Sequence, residues 1–335
     1  MPASAGRTAP FTTPEGRPAP DSIAETAFLT LGGVAQWVMI RGRSVANPVL
    51  ILLHGGPGMS ATGLFRATNA ALEDAFTVVY WDQRAAGRSF DPRADPAGLT
   101  IERFLGDLDE LVDIVRTRLG QAKVTLLGHS WGSVLGVLYS ERFPAKVAAY
   151  VGVGQVADMA ASEAGSYAFT LAQAERRGRS AAVRALKAIG PPPHEAKALQ
   201  VQRRWLMALG GAFGPNLSLP RLIWRTISAP EGSPLDLVRM VRGAGFSLAP
   251  LWPQLMAVDI MSRRAFEVPV FLILGRHDMQ VVAQVAANWF DLISAAEKRL
   301  FWLEASGHFA PFEEPAAFNR IIIDKVRPVA VAAGS

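Results

Sequence analysis

The sequence predicts an α/β fold, a mostly parallel central sheet flanked by helices, with a helical cap inserted on the carboxyl side of the sheet. Three observations predict it. Short apolar runs alternate with helical stretches from about residue 26 to 156 and again after about 251. One of those runs leads through Gly128-His129-Ser130-Trp131-Gly132 into a second apolar stretch. Between about 157 and 250 there are helix-like segments and loops but no convincing strand, and Pro191-Pro192-Pro193 and Gly210-Gly211 interrupt them. The expected organisation is therefore a core of residues 23–156 and 251–330, a helical cap over 157–250, and a disordered or loosely packed arm over 1–22, which carries five prolines.

Element by element, Phe28–Leu31 and Gln36–Arg41 read as a hairpin about Gly32-Gly33. Val49–Leu53 is a short buried strand, Leu64–Leu72 is helical, and Thr77–Trp81 is the next strand. Ile101–Leu119 is an amphipathic helix with Phe104, Leu108, Leu111 and Val115 on one face and Asp107, Asp109 and Glu110 mostly off it. Val124–Leu127 is the strand before Ser130, the segment after Ser130 is a buried helix, and Val147–Val153 is a strand. The pattern resumes with Val268–Leu274, a helix from about Val281, the strand Lys298–Leu303, and a final helix from about Pro315 to Val326.

The composition narrows the function. The chain has 335 residues, 50% of them hydrophobic, and can bury a large core. It has no cysteine, which excludes disulfides, thiolate metal sites and a cysteine nucleophile. The net charge of +5, from 34 basic and 29 acidic residues, comes without the Lys/Arg run of a nucleic-acid site. No apolar run is long enough for a membrane span, and no secretory signal opens the sequence, so a cytoplasmic protein is expected. No paired Asp or His spacing suits a metal, and no organic cofactor is called for.

A serine between glycines on a strand-to-helix turn is the arrangement of an exposed nucleophile. A serine hydroxyl needs a base, and the base needs an orienting acid. Of five histidines, His54 and His129 precede Ser130, His194 lies in the insertion, and His277 adjoins an acid candidate. His308, in a loop between the last strand and the last helix, is the expected general base. Asp278, after the strand that ends in Leu274-Gly275, is the expected acid. Its alternative reading is a helix cap, and Asp158 is the rival for the acid position. In His54-Gly55-Gly56-Pro57-Gly58 the glycines let backbone approach a substrate closely. Gly56 or Gly55 is expected to give one oxyanion-hole N–H, and Trp131 the other.

These pieces, with Trp81-Asp82-Gln83-Arg84-Ala85-Ala86-Gly87-Arg88-Ser89, Gly275-Arg276-His277-Asp278 and Ser306-Gly307-His308, resemble the proline iminopeptidase-like serine hydrolases of the α/β hydrolase superfamily. The resemblance spans about residues 26–327 and is weakest in the insertion. It implies the triad Ser130, Asp278 and His308, and hydrolysis of an amide or ester near a substrate's N-terminal end. The family commonly has glycine where Ala85 stands. Asp82 and Arg84 are expected to build an ion pair or hydrogen-bond network behind the oxyanion loop. Members of the family hold the substrate's α-amine with acidic cap residues. Glu163 is the first candidate here, with Asp158, Glu195 and Glu231 behind it, and His54 and His277 are candidates for lining the site. The insertion carries twelve Arg or Lys against six Asp or Glu, which favours an anionic substrate at long range. Three functions follow: an aminopeptidase of the proline iminopeptidase type, a carboxylesterase or small-amide hydrolase with no amine site, or a catalytically silent binding protein on the same fold. The partner in the first two is a small molecule or short peptide.

Overall fold

The computed structural model describes residues 6–215 and 217–334. Strands β1 (Ile23–Leu31) and β2 (Val34–Gly42) form the antiparallel hairpin about Gly32-Gly33, β1 starting earlier than expected and β2 longer at both ends. Most of β1 is only half-buried at the sheet edge, so its sequence carries little alternation to read. Strands β3 (Val49–Leu53) and β4 (Thr77–Trp81) are wholly buried and stand at the expected residues. Between them the one expected helix is two, α1 (Thr62–Asn69) and α2 (Leu72–Ala75), separated by a turn at residues 70–71.

Helix α3 (Ile101–Leu119) keeps its expected bounds because both ends are capped. The Thr100 side chain accepts from the Arg103 N–H, and Gly120 closes the helix at φ 64°. Asp107 corrects the expected face: it is fully buried, paired with Arg84 and hydrogen-bonded by Gln36. Strand β5 (Val124–His129), helix α4 (Trp131–Arg142) and strand β6 (Val147–Val153) follow. Residues 157–250 then form α5 (Met159–Arg176), α6 (Ser180–Ile189), α7 (Ala196–Ala208), α8 (Leu219–Ile227) and most of α9 (Pro234–Ala257), with no strand among the described residues.

The chain returns through β7 (Ala265–Phe266), β8 (Val270–Gly275), α10 (Ala283–Leu292), β9 (Ser294–Ala295) and β10 (Lys298–Leu303). It ends in α11 (Ala310–Glu313), α12 (Pro315–Ile321), a π-helical turn over Ile322–Val326, and α13 (Arg327–Gly334). The expected final helix therefore loosens after Ile321 and continues past Val326. The β7–β9 pair, a separate two-stranded sheet, was not expected.

The main sheet has eight strands in the order β1-β2-β4-β3-β5-β6-β8-β10. The first two pairings are antiparallel and the rest parallel. Strands β3, β5, β6 and β8 are buried along their whole length, as continuous Val/Ile/Leu runs with helices on both faces should be. Each such side chain contributes roughly 1.5–3 kcal/mol by leaving water. His54, Ser130, Asp278 and His308 each follow the carboxyl end of a parallel strand, which gathers them at one edge.

Residues 6–22, expected as a disordered or loosely packed arm, bridge Thr12 to Pro18 and lie against the core. Arg41 donates to Thr8 Oγ1 (2.5 Å) and to the Ala9 carbonyl (2.6 Å), and its guanidinium covers the Phe11 ring. Residues 1–5 of that arm lie outside the described residues.

One tight backbone crossing is at the start of α4. A Cβ on Gly132 would lie 2.0 Å from the Leu53 carbonyl oxygen, and one on Gly128 would lie 2.5 Å from the Gly132 oxygen. Both neighbours are backbone and cannot swing away. Gly132→Ala is expected to lower the unfolding free energy by about 1–3 kcal/mol. Urea denaturation measures it, and an unchanged midpoint would contradict the packing described.

Candidate active site

Ser130 sits between β5 and α4 with φ 54° and ψ −119°, in the left-handed half of backbone space that side chains rarely adopt. Such a residue costs on the order of 1–3 kcal/mol and persists where its surroundings hold it. They do so here. The Ser130 N–H donates to the Val153 carbonyl at 2.9 Å, and the Ser130 carbonyl accepts from the Ser133 N–H and hydroxyl. Ser133 Oγ in turn accepts from the Val156 N–H, tying the turn to the chain after β6.

Asp278 and His308 are brought together. His308 Nδ1–H donates to Asp278 Oδ2 at 2.8 Å, with both side chains about 1% exposed. The other carboxylate oxygen accepts from the Gln280 and Val281 N–H groups at 2.9 and 3.0 Å. One oxygen thus closes the local turn while the other orients the imidazole, so the capping and orienting readings of Asp278 describe different oxygens. With its proton on Nδ1, the ring leaves Nε2 as the acceptor. The imidazole edge lies against Gly154, the residue after the Val153 that holds the Ser130 N–H. Asp158, the rival acid, caps α5 instead by accepting from the Ala161 N–H.

The oxyanion-loop candidates also converge. A Cβ on Gly55 would lie 3.2 Å from Ser130 Cβ, so that glycine borders the serine directly. Gly56 has φ 127°, where a side chain would be strained, and a Cβ there would come within 2.7 Å of the Gly58 and Met59 nitrogens. The sequence reading missed the residue that joins this loop to Trp131. Gln83 Oε1 accepts from Trp131 Nε1 at 2.9 Å, and Gln83 Nε2 donates to the His54 carbonyl at 3.1 Å. Its position between two motif charges, Asp82 and Arg84, was the available signal.

Several expected site residues do other work. His54 is buried with both ring nitrogens occupied: Nδ1–H donates to the Gly55 carbonyl, and Nε2 accepts from the Gln83 N–H. It shapes the loop and has no nitrogen left for a substrate. His277 is exposed, and its backbone N–H bonds to the Ser306 carbonyl. His194 bonds the Gly190 carbonyl inside the cap. Asp82 and Arg84 do not pair. Asp82 accepts from Ser60, Thr62 and the Arg88 N–H, whereas Arg84 pairs with Asp107. Ala85 stands at φ 60°, a conformation that glycine adopts with less strain.

The four acidic candidates separate clearly. Glu195 is exposed, Asp158 is a helix cap, and Glu231 is taken by both Arg66 and Thr8. Glu163 is buried in α5, with Oε1 paired to Arg203 and Oε2 without a hydrogen-bond partner among the described residues.

With this geometry in hand, a family model described as the α/β hydrolase fold matches residues 48–315. The chain is 30% identical to the probable aminopeptidase YbaC of Bacillus subtilis (strain 168) over 304 residues, 90% of this chain and 96% of that one. Among solved structures it is similar to a proline iminopeptidase-related protein of Thermus thermophilus, with a TM-score of 0.63 and 21% identity over 93% of this chain and 98% of that one. The proline iminopeptidase of Mycobacterium smegmatis gives a TM-score of 0.67 at 20% identity over 92% and 100% of the two chains. The chain belongs to the α/β hydrolase fold family and is a hydrolase with proline iminopeptidase-like relatives. No helix among the described residues is long and apolar enough to cross a membrane.

Two buried histidines set a pH dependence. His129 donates from Nε2 to the His308 carbonyl, and burial, followed by the neighbouring His308, holds its pKa down to about 3. His54 is lowered chiefly by burial. As pH falls below about 6.5 the unfolded chain takes up protons that these two side chains refuse, so stability is full above that value and lost on acidification. Each neutral histidine gives a limiting slope of about 1.4 kcal/mol per pH unit. His129→Gln, which keeps a donor, is expected to flatten the stability curve between about pH 6 and 4. Urea unfolding across that range measures it, and an unchanged slope would contradict the assignment.

Proposed function

We propose that the chain is a serine hydrolase of the aminopeptidase type that works through an acyl-enzyme. The observation that carries the reading is the buried 2.8 Å pair of Asp278 and His308, set against Gly154 beside the strained Ser130 turn. In this reading Ser130 Oγ attacks the substrate carbonyl as its proton passes to His308 Nε2. Asp278 holds the tautomer and stabilises the imidazolium. The carbonyl electrons collect on oxygen, which the N–H groups of Gly56, or Gly55, and Trp131 receive. When the tetrahedral species collapses, the C–N or C–O bond breaks and the leaving group takes the proton from Nε2. Water then repeats the sequence and frees Ser130. The substrate is a small molecule or short peptide, and the address is the cytoplasm.

Aminopeptidase action needs a carboxylate for the substrate amine. Glu163 suits it, since a buried oxygen without a partner is costly unless a donor arrives. The relative named as a probable aminopeptidase, 30% identical over nine-tenths of this chain, supports the aminopeptidase reading. One observation favours a second reading, a carboxylesterase or small-amide hydrolase: Arg203 already offsets the Glu163 charge.

Release of p-nitroaniline from prolyl-p-nitroanilide decides between them. The expected result is turnover that Ser130→Ala abolishes. Glu163→Gln is expected to lower kcat/KM on that substrate by about tenfold or more while leaving p-nitrophenyl acetate hydrolysis within about threefold. Equal losses on both substrates would remove Glu163 from amine binding. Ester cleavage with no prolyl turnover would put the second reading first.

A further inference from the structure

Glu313 is a buried carboxylate whose oxygens are both bonded to backbone. Oε1 accepts from the Gly307 N–H at 3.0 Å and the Phe309 N–H at 3.1 Å, the residues on either side of His308. Oε2 accepts from the Gly214 N–H at 2.6 Å, ninety-nine residues away in the cap segment between α7 and α8. The next residue, Glu314, holds the start of the same loop by accepting from the Ala305 N–H and the Ser306 hydroxyl.

The cap segment reaches both triad loops. The His308 N–H donates to the Ala212 carbonyl at 2.9 Å, and the Met279 N–H, next to Asp278, donates to the Gly211 carbonyl at 2.9 Å. Phe213 stacks on Phe309 with ring centroids 5.1 Å apart. The approach is at backbone distance: a Cβ on Gly214 would lie 2.1 Å from the Ala305 oxygen. Residues 211–214 thus splice the acid loop to the base loop, and Glu313 clamps the splice.

We propose that Glu313 is a positioning residue for His308, registering the base loop to the cap through Gly214. The proposal rests on His308 being the general base. Burial raises the pKa of Glu313, so keeping a carboxylate there carries a cost, and a simple loop anchor does not require one. Glutamine at 313 can keep its oxygen toward Gly307 and Phe309 but turns an NH2 toward the Gly214 N–H. That substitution breaks the Gly214 bond while sparing the bonds to Gly307 and Phe309. Alanine breaks both.

The test compares kcat and KM on p-nitrophenyl acetate for the parent, Glu313→Gln and Glu313→Ala, with folding checked by near-ultraviolet circular dichroism and Ser130→Ala as control. A misplaced base lowers the rate of chemistry without removing binding contacts. The expected result is kcat down about fivefold or more in the glutamine variant and further in the alanine variant, with KM within about twofold. A folded glutamine variant with parental kcat would overturn the proposal, whether or not the alanine variant folds, and so would a loss confined to KM. Parental turnover that survives Ser130→Ala would instead overturn the triad reading, and this proposal with it.

Discussion

A Cβ on Gly132 would lie 2.0 Å from the Leu53 carbonyl oxygen and 2.8 Å from that of His54, so α4 can pass the end of β3 only where the side chain is a hydrogen. That crossing determines the geometry around Ser130. It forces the chain to turn within one residue, and Ser130 takes the left-handed conformation that results. The strain is met by the bond from its N–H to Val153 and by the Ser133 hydroxyl. The same closeness brings the glycine loop after β3 to the serine, since Gly55 borders Ser130 Cβ. Ser130 and the glycine loop are neighbours because two backbones touch.

The remaining parts are positioned by hydrogen bonds that cross between loops. Gln83 ties the glycine loop to Trp131. His129 donates to the His308 carbonyl, linking the residue before the serine to the base. Asp278 spends one oxygen on its own turn and the other on the imidazole. The segment between α7 and α8 contributes backbone to the same web, with Gly211 and Ala212 accepting from the Met279 and His308 N–H groups. Glu231, between α8 and α9, pairs with Arg66 and receives the Thr8 hydroxyl. The loops that carry Ser130, Asp278 and His308 and the segment over 157–250 therefore share one hydrogen-bonded frame.

What the sequence revealed follows from which signals are local. Strands β3, β4 and β10 stood at the expected residues because each is a short run bounded by turn residues, and α3 did because both caps are encoded next to it. The strand-to-helix turn at Ser130 and the loop positions of Asp278 and His308 were legible because each follows a strand in a short motif. Partners far apart in sequence were not legible. Glu313 draws its donors from residues 214, 307 and 309, and backbone N–H groups leave no mark on residue type. Asp107 looked like a surface acid because the pattern of α3 says nothing of Arg84 arriving from another loop. The cap was readable as helices, yet Arg203 beside Glu163 depends on how α7 packs on α5, which periodicity does not specify.

Covalent capture tests the proposed role of Ser130 as the activated nucleophile directly. The protein would be treated with a fluorophosphonate and digested, and the modified peptide identified by mass spectrometry. The expected result is a single adduct, on Ser130, formed much more slowly in an Asp278→Asn variant whose imidazole has lost its orienting carboxylate. An adduct on any other residue, or none on a folded protein, would contradict it.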